Sequence, residues 1–497
     1  MSKKIILYTQ HDIDVIGDNI DILQNEADMI VKTKYEPTIY EFRSVIKIVE
    51  QFIKSKGRIL YGGTALNKLV IAKDKKQAIY GEFDKPDIEF YSPEPLKDLK
   101  ELCDMLGKKY KYVQGQQAQH GETYKFFVNF DELGDITYVP PNIFSKLPYM
   151  EINGLKVIHP KYMFIDYLRM YTDPLMSFRR LEKAVPRGMK LINNYPLDVG
   201  IEPIKYDELG MSEENILKEI SSLLNKSNSI IHVGSYTIQF YTINKDKKIL
   251  PYEVISTDYK KDVNDFYKEL SKKYKVTFRE YYPYFQFWDS HLEFLFNNKV
   301  VLTVFKNYDR CIPYRKYDSG NIASFQQVLL HHLIKYYYNN NMNIPTDNVN
   351  NIIGAIVNSR NEYLKKHNKT VMDDTIFREF QINCLGKAID SRRQHFLDMT
   401  RKRDQGKQAL YRYNPKTDHD HKVPNYIFDN TTGSRIQNSN HYSIYVMNDS
   451  SDSSRSNDSS RSSYSSDSSD SSDSSESNEY PSQNLKRNED SIDYTMI

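Results

Sequence analysis

Three cysteines in 497 residues (Cys103, Cys311 and Cys384) are odd in number, far apart and without zinc-ligand spacing. They predict buried or free thiols in a reducing compartment and exclude a disulfide-framed secreted domain. Long apolar runs are also missing, so no segment is expected to span a bilayer. The start, Met1-Ser2-Lys3-Lys4 followed by Ile5-Ile6-Leu7-Tyr8, is too short for a signal peptide. A soluble intracellular protein with no membrane partner is expected. Net charge is nearly absent overall, at +2, but that average conceals a split. Residues 448–497 carry eleven acidic and four basic side chains, net −7, which leaves the other residues at +9. A mildly basic body suits a polyanionic partner. The 40 tyrosines, with abundant Asn, Lys and Ile, fit an AT-rich coding sequence better than a base-stacking surface.

The length suggests two or three domains. From Thr38 the apolar residues Phe42, Val45, Ile46, Val49, Phe52 and Ile53 recur at three and four, predicting an amphipathic helix that ends near Gly57. Arg58-Ile59-Leu60-Tyr61 reads as a buried strand broken by Gly62-Gly63, with Thr64 placed to cap a helix whose inner face is Ala65, Leu66, Leu69 and Val70. Strand, glycine turn and helix together make a phosphate-binding corner. Asp87, Glu89 and Tyr91 then share one face of a strand, because side chains alternate with period two. Lys125–Phe130 and Asp135–Val139 read as an antiparallel pair around Asp131-Glu132-Leu133-Gly134.

The pattern then returns. Ile230-Ile231-His232-Val233-Gly234-Ser235 resembles the first glycine turn, and Tyr252-Glu253-Val254-Ile255-Ser256 resembles Ile88-Glu89-Phe90-Tyr91-Ser92. The helix 263–274 matches 99–110, Val301-Leu302-Thr303-Val304 falls where Asp135-Ile136-Thr137-Tyr138 would, and the helix 325–338 matches 162–171. On this alignment Pro251 replaces Asp87 and Val301 replaces Asp135; Glu253 alone survives, too little to hold two ions. The expected organisation is therefore 1–195, a catalytic domain; 196–340, a degenerate copy; 341–447, a helical and basic extension; and 448–497, a Ser/Asp-rich tail without a core. That tail is a solubilising appendage or, alternatively, a phosphorylated interaction segment.

A glycine turn alone, or Asp-Ile-Glu alone, fits a tight turn or a solvated strand equally well. The combination says more. Three carboxylates on one sheet face repel each other and demand a cation. A triphosphate needs backbone donors with no side chain in the way. Elsewhere, Arg179, Lys183, Arg187 and Lys190, with Arg180, line one helix face, as a triphosphate or RNA path or as a solvated surface. Arg392, Arg393, Arg401, Lys402 and Arg403 begin the densest basic region, equally suited to RNA backbone and to solubility. Asp418-His419-Asp420-His421 is a weak metal motif, His331-His332 reads as structural, and His120 has no assigned role.

Tyr61-Gly62-Gly63-Thr64-Ala65-Leu66-Asn67, Pro86-Asp87-Ile88-Glu89-Phe90 and Gly134-Asp135-Ile136-Thr137-Tyr138-Val139 resemble the polymerase-β-type nucleotidyltransferase superfamily. With His159-Pro160-Lys161-Tyr162 and Asp166-Tyr167-Leu168-Arg169, the closer likeness is to poly(A) polymerase catalytic subunits of large DNA viruses, mimivirus-like and poxvirus-related, over about 1–340. The resemblance implies an α/β (α+β) fold of two tandem nucleotidyltransferase-like domains, the second degenerate. It implies transfer of AMP from ATP to the 3′-hydroxyl of single-stranded RNA, with two Mg²⁺ or Mn²⁺ ions. Asp87 and Glu89 would hold both ions, Asp135 the ion at the hydroxyl, and Gly62, Gly63 and Thr64 the triphosphate. Two departures are the long stretch from Gly63 to Asp87 and a Glu where Asp is commoner, at Glu89. The resemblance also implies a homodimer in the host cytoplasm or viral factory. It leaves open packaging in the virion and help from a cap methyltransferase. Uridylyl or tRNA-end transfer, and an inactive RNA-binding partner, are the alternative readings.

Overall fold

The computed structural model describes residues 7–35, 38–118, 122–206, 210–242, 251–307, 310–386, 411–418 and 432–436. Helix α1 (Gln10–Ile30), not foreseen from the sequence, is capped by Thr9 and buries none of its residues. Helix α2 (Thr38–Lys56) follows the predicted pattern, with Phe42, Val45, Val49, Phe52 and Ile53 inside. Strand β1 (Ile59–Tyr61) runs straight into α3 (Gly62–Lys73). Thr64 does not cap that helix as expected. Its N-cap is Tyr61, because the glycines are already its first turn. Then come β2 (Ile88–Ser92), α4 (Pro95–Gly107), β3 (Val113–Gln117), β4 (Thr123–Val128) and β5 (Asp131–Tyr138). The turn between β4 and β5 is Asn129-Phe130, both at positive φ, not 131–134 as predicted; Asp131–Gly134 already pair within the ladder. Helix α5 (Pro141–Phe144), β6 (Tyr149–Ile152), β7 (Leu155–Ile158), α6 (Pro160–Tyr171) and α7 (Pro174–Asn194) complete the first copy.

The second copy opens on α8 (Met211–Leu224), β8 (Ile230–His232), α9 (Ile238–Tyr241) and β9 (Tyr252–Ser256). It continues through α10 (Tyr259–Ser271), β10 (Thr277–Tyr281), β11 (His291–Phe296), β12 (Lys299–Lys306), β13 (Ile312–Tyr317), β14 (Gly320–Ala323) and α11 (Phe325–Asn341). Helix α12 (Asp347–Lys366) and two short strands, β15 (Cys384–Leu385) and β16 (Arg412–Tyr413), follow. Each copy builds one mixed sheet. The orders are β16-β3-β4-β5-β2-β1-β7-β6 and β10-β11-β12-β9-β8-β14-β13-β15, so the seven repeated strands keep one order. The senses agree as well: β2–β5 and β9–β12 are parallel, as are β1–β7 and β8–β14. Two copies of one α/β fold therefore stand in tandem, both within one compact unit spanning Met1–Val446.

A shared device fixes the register between copies. The Ser92 hydroxyl donates to Asp98 at 2.5 Å, and the Ser256 hydroxyl to Asp262 at 2.5 Å. Glu89 and Glu253 each lie three residues ahead of that serine, as read from the sequence. The partner strand differs from the expected alignment by two residues: Thr303, not Val301, sits opposite Glu253, as Asp135 sits opposite Glu89. A two-residue slip preserves the face, so alternation could not reveal it.

Cys311 and Cys384, expected as thiols, are bonded to each other with Cα atoms 5.3 Å apart, because β15 pairs with β13; Cys103 is buried and free. No helix among the described residues is long and apolar enough to cross a membrane. The predicted basic cluster Arg392, Arg393, Arg401, Lys402 and Arg403, the histidines His120, His419 and His421, and the tail 448–497 lie outside the described residues.

Gly134 pairs with Ile88 across β2–β5, and a Cβ there would overlap the Ile88 carbonyl. Gly134→Ala is expected to cost about 1–3 kcal/mol by forcing the backbones apart. A lower denaturant midpoint would register it, and loss of activity should exceed the loss of folded protein.

Candidate active site

The site grows from the β1–α3 turn. Gly62 has φ +70°, and any side chain on it would run into the Glu89 carboxylate. The Gly63 N–H donates to Glu89 Oε2 at 2.9 Å. Tyr61 lies opposite Glu89 across β1–β2, Glu89 opposite Asp135 across β2–β5, and Asp135 opposite Lys125 across β4–β5. Asp87 just precedes β2, on the Glu89 face by alternation, and is exposed. Its carbonyl accepts from the Thr64 hydroxyl at 2.6 Å, which ties the turn to the strand.

Burial pushes the Glu89 carboxyl up to about 7; the Gly63 amide opposes this, and the charges of Asp135 and Asp87 add to it. Asp135 rises to about 6, first through burial, against the pull of Lys125, with Glu132 and Asp87 raising it further. Asp135 Oδ1 is buried without a hydrogen-bond partner, and Lys125 Nζ stands 3.8 Å away while pairing more closely with Glu132. Asp166 on α6 faces the same cleft. Burial raises its carboxyl, partly offset by Arg169, and its charge raises Glu89 and Tyr61. As placed, no three His, Cys, Asp or Glu side chains among the described residues converge tightly enough to hold a metal. Glu89 is turned onto the Gly63 amide instead. The donor set nonetheless fits a hard divalent cation: carboxylate oxygens only, one of them orphaned, with their ionised forms disfavoured until positive charge arrives.

The second copy resolves the same repulsion differently. A Cβ on Gly234 would again collide with the glutamate, here Glu253. Pro251 and Thr303 occupy the other two acidic positions. From α11, His331 Nε2 lies 3.1 Å from Glu253 Oε2, and the Lys335 ammonium pairs with the other oxygen. Burial alone would raise Glu253, but the Lys335 charge and the His331 hydrogen bond hold it well below the usual range. An ammonium stands where a cation would otherwise be needed. This copy is degenerate.

Comparison with known proteins places this geometry. Residues 47–177 match the family model "Poly(A) polymerase catalytic subunit", and 192–446 match "APMV, Putative poly(A) polymerase, catalytic subunit, C-terminal". A "Putative poly(A) polymerase catalytic subunit" of Acanthamoeba polyphaga mimivirus is 33% identical over 456 residues, 82% of this chain and 78% of the relative. The chain belongs to the poly(A) polymerase catalytic subunit family. A protein of the same name from African swine fever virus (strain Badajoz 1971 Vero-adapted) is 31% identical over 177 residues, 34% of this chain and 37% of its own. The crystal structure of the Megavirus polyadenylate synthase superposes with a TM-score of 0.83 at 32% identity, covering 89% of this chain and 95% of that one. The protein is thus a nucleotidyltransferase enzyme, a poly(A) polymerase.

Among the basic residues of α7, the polymerase leaves Arg179 and Lys183 exposed to solvent, and Lys190 donates to the Gln77 carbonyl. Arg187 is the one that reaches the glycine turn. A Cβ on Gly63 would lie 3.1 Å from its Nη1 and would collide with the Tyr80 hydroxyl, and the guanidinium sits 5.2 Å from the Tyr80 ring centroid. Tyr80, Lys125 and Asp166 were not singled out from sequence as site residues. Lys125 could have been found from the register opposite Asp135; Tyr80, in the irregular 74–87 stretch, carries no sequence signal.

Lys335→Met should destabilise the polymerase by about 3–5 kcal/mol near neutral pH, because it strands a buried carboxylate. Glu253→Gln in the same chain should recover much of the loss. A depressed folded-state pKa means that the pair contributes above the unfolded value of about 4.3 and fades as pH falls through the folded value. Urea unfolding at neutral and acid pH should therefore show the gap between wild type and variant closing in acid.

Proposed function

We propose that the enzyme adds AMP from ATP, without a template, to the 3′ end of mRNA, and that Asp87, Glu89 and Asp135 hold two divalent ions there. The observation that carries this reading is the parallel pairing of Glu89 with Asp135 directly before the Gly62-Gly63 turn. Bound at those carboxylates, Mg²⁺ or Mn²⁺ would lower the pKa of the RNA 3′-hydroxyl and neutralise the departing pyrophosphate. Gly62 and Gly63, in the first turn of α3, keep side chains out of the phosphate path. Thr64 holds the Asp87 backbone beside that path. Arg187, rather than Arg179 or Lys183, is the base we assign to the phosphates, since it alone of the three lies beside Gly63 and forms no ion pair among the described residues. Lys125 stands between Asp135 and Glu132 and offsets their mutual repulsion. The second copy acts as a scaffold. Arg310 donates to the Arg169 carbonyl and pairs with Asp173, bracing the helices that close the catalytic cleft. The same reading takes the enzyme as a homodimer working in the host cytoplasm or viral factory.

The test is extension of a single-stranded RNA primer with each nucleoside triphosphate supplied separately. ATP should give long products and UTP, CTP and GTP few; equal use of all four would overturn the adenylyl assignment. Asp135→Asn should lower kcat beyond the roughly 100-fold upper end seen for groups that only orient a metal ligand, with primer binding retained. Arg187→Ala should raise KM for ATP about tenfold, as loss of one charge-assisted hydrogen bond implies. Arg179→Ala and Lys183→Ala, on the solvated face, should change it less than about twofold.

A further inference from the structure

The turn that joins β4 to β5 carries a side chain its backbone does not require. Asn129 and Phe130 sit at φ +51° and +73°, where Asn or Gly is at ease and a bulky residue is strained. The second copy supplies an internal control. Its equivalent turn, Asn297-Asn298, has φ +50° and +61° and uses asparagine at both positions. Both turns are anchored alike, Asn129 donating to Glu41 on α2 and Asn297 to Glu213 on α8. Backbone geometry and anchoring are therefore the same, and only the catalytic copy places a phenylalanine at the tip.

That ring is not filling a core. Phe130 is 82% exposed and packs against Tyr112, itself 49% exposed, with ring centroids 5.1 Å apart. The Asn129 N–H donates to the Tyr112 carbonyl at 2.7 Å, so the two aromatics are held together by backbone. In the second copy the position of Tyr112 is Val276, which is buried. Lysines precede Tyr112 in the chain, and one of them lies over its ring. Lys111 Nζ lies 5.1 Å from the Tyr112 ring, and Lys108, Lys109 and Lys111 are exposed and form no ion pair among the described residues. The matching Lys272 and Lys273 are instead tied to Glu269 and Glu219. Acidic groups are present too, but Asp131 is occupied by Lys85 and Glu132 by Lys125.

The tip leads directly into the strand that bears Asp135, five residues on, or about 17 Å at ~3.4 Å per residue. A rigid aromatic pair beside lysines that no carboxylate neutralises, in line with the carboxylate assigned to the 3′-hydroxyl, has the makings of a single-strand stacking platform. We propose that Phe130 and Tyr112 stack bases of the RNA primer upstream of its 3′ end, with Lys108, Lys109 and Lys111 on its phosphates. This rests on the RNA-extending reading above.

Phe130→Asn installs the residue that the second copy uses, so the fold should tolerate it and the melting temperature should not fall. It should raise the Kd for a short oligoadenylate about tenfold, within the range for losing one stacked base. The KM for primer should rise with it, while KM for ATP stays put. Tyr112→Ala should do the same, and Phe130→Trp should restore binding. If Phe130→Asn binds and extends the primer as wild type does, the platform is refuted while RNA extension stands. The platform is equally refuted if that variant loses only self-association or capture of a protein partner. If the wild-type protein neither binds nor extends RNA with ATP, the underlying reading fails and the platform with it.

Discussion

Carboxylates buried side by side on parallel strands must be neutralised, and much of this molecule follows from how that is done. Glu89 and Asp135 face each other across β2–β5 with little water to screen them. The catalytic copy leaves the repulsion partly standing: one amide on Glu89, one lysine shared between Asp135 and Glu132, and one buried carboxylate oxygen that accepts no hydrogen bond. On the function proposed above, an external cation would relieve what repulsion remains. The second copy removes the repulsion internally, by deleting two of the acids and laying Lys335 and His331 on the third. One fold thus supports either a reactive site or an inert one, depending on where the positive charge originates.

What the two copies share separates folding from chemistry. Both keep the glycine that clears space for the glutamate, the serine–aspartate hydrogen bond at the end of the neighbouring strand, and the order of seven strands. These satisfy buried polar groups or avoid collisions, which any version of the fold requires. The copies differ at Asp87 and Asp135, whose counterparts Pro251 and Thr303 cannot attract a divalent ion as carboxylates do. They differ again at the hairpin tip, where Phe130 stands against Asn298. It is at positions that diverge while the backbone stays the same that the proposed ion and RNA contacts fall.

Several features were legible from sequence because they depend on short-range rules. The helix 38–56, the strand–glycine–helix corner and the shared face of Asp87 and Glu89 follow from periodicity and from the conformational freedom of glycine. The hairpin turn was misplaced because residues 131–134 look like loop by composition, although Gly134 is there to let two backbones approach. The sequence likewise left open which of Arg179, Lys183 and Arg187 meets the glycine turn. Spacing puts them on adjacent turns of one helix, but only packing of α7 against α3 decides which side chain meets the glycine turn. The Cys311–Cys384 bond was out of reach, since two residues 73 apart become neighbours only when β15 adds to the sheet edge.

By itself the sequence determined the kinds of element, the face on which each acid lies and the fact of a duplication, since these follow from local sterics and from a period of two or 3.6. Tertiary structure alone decided which acid stands opposite which, that Thr303 rather than Val301 is the counterpart of Asp135, and which lysine or arginine answers each charge. The physical reason is that register and charge compensation are set by contacts between strands and helices distant in the chain. No local pattern encodes the distance at which two such charges will come to rest.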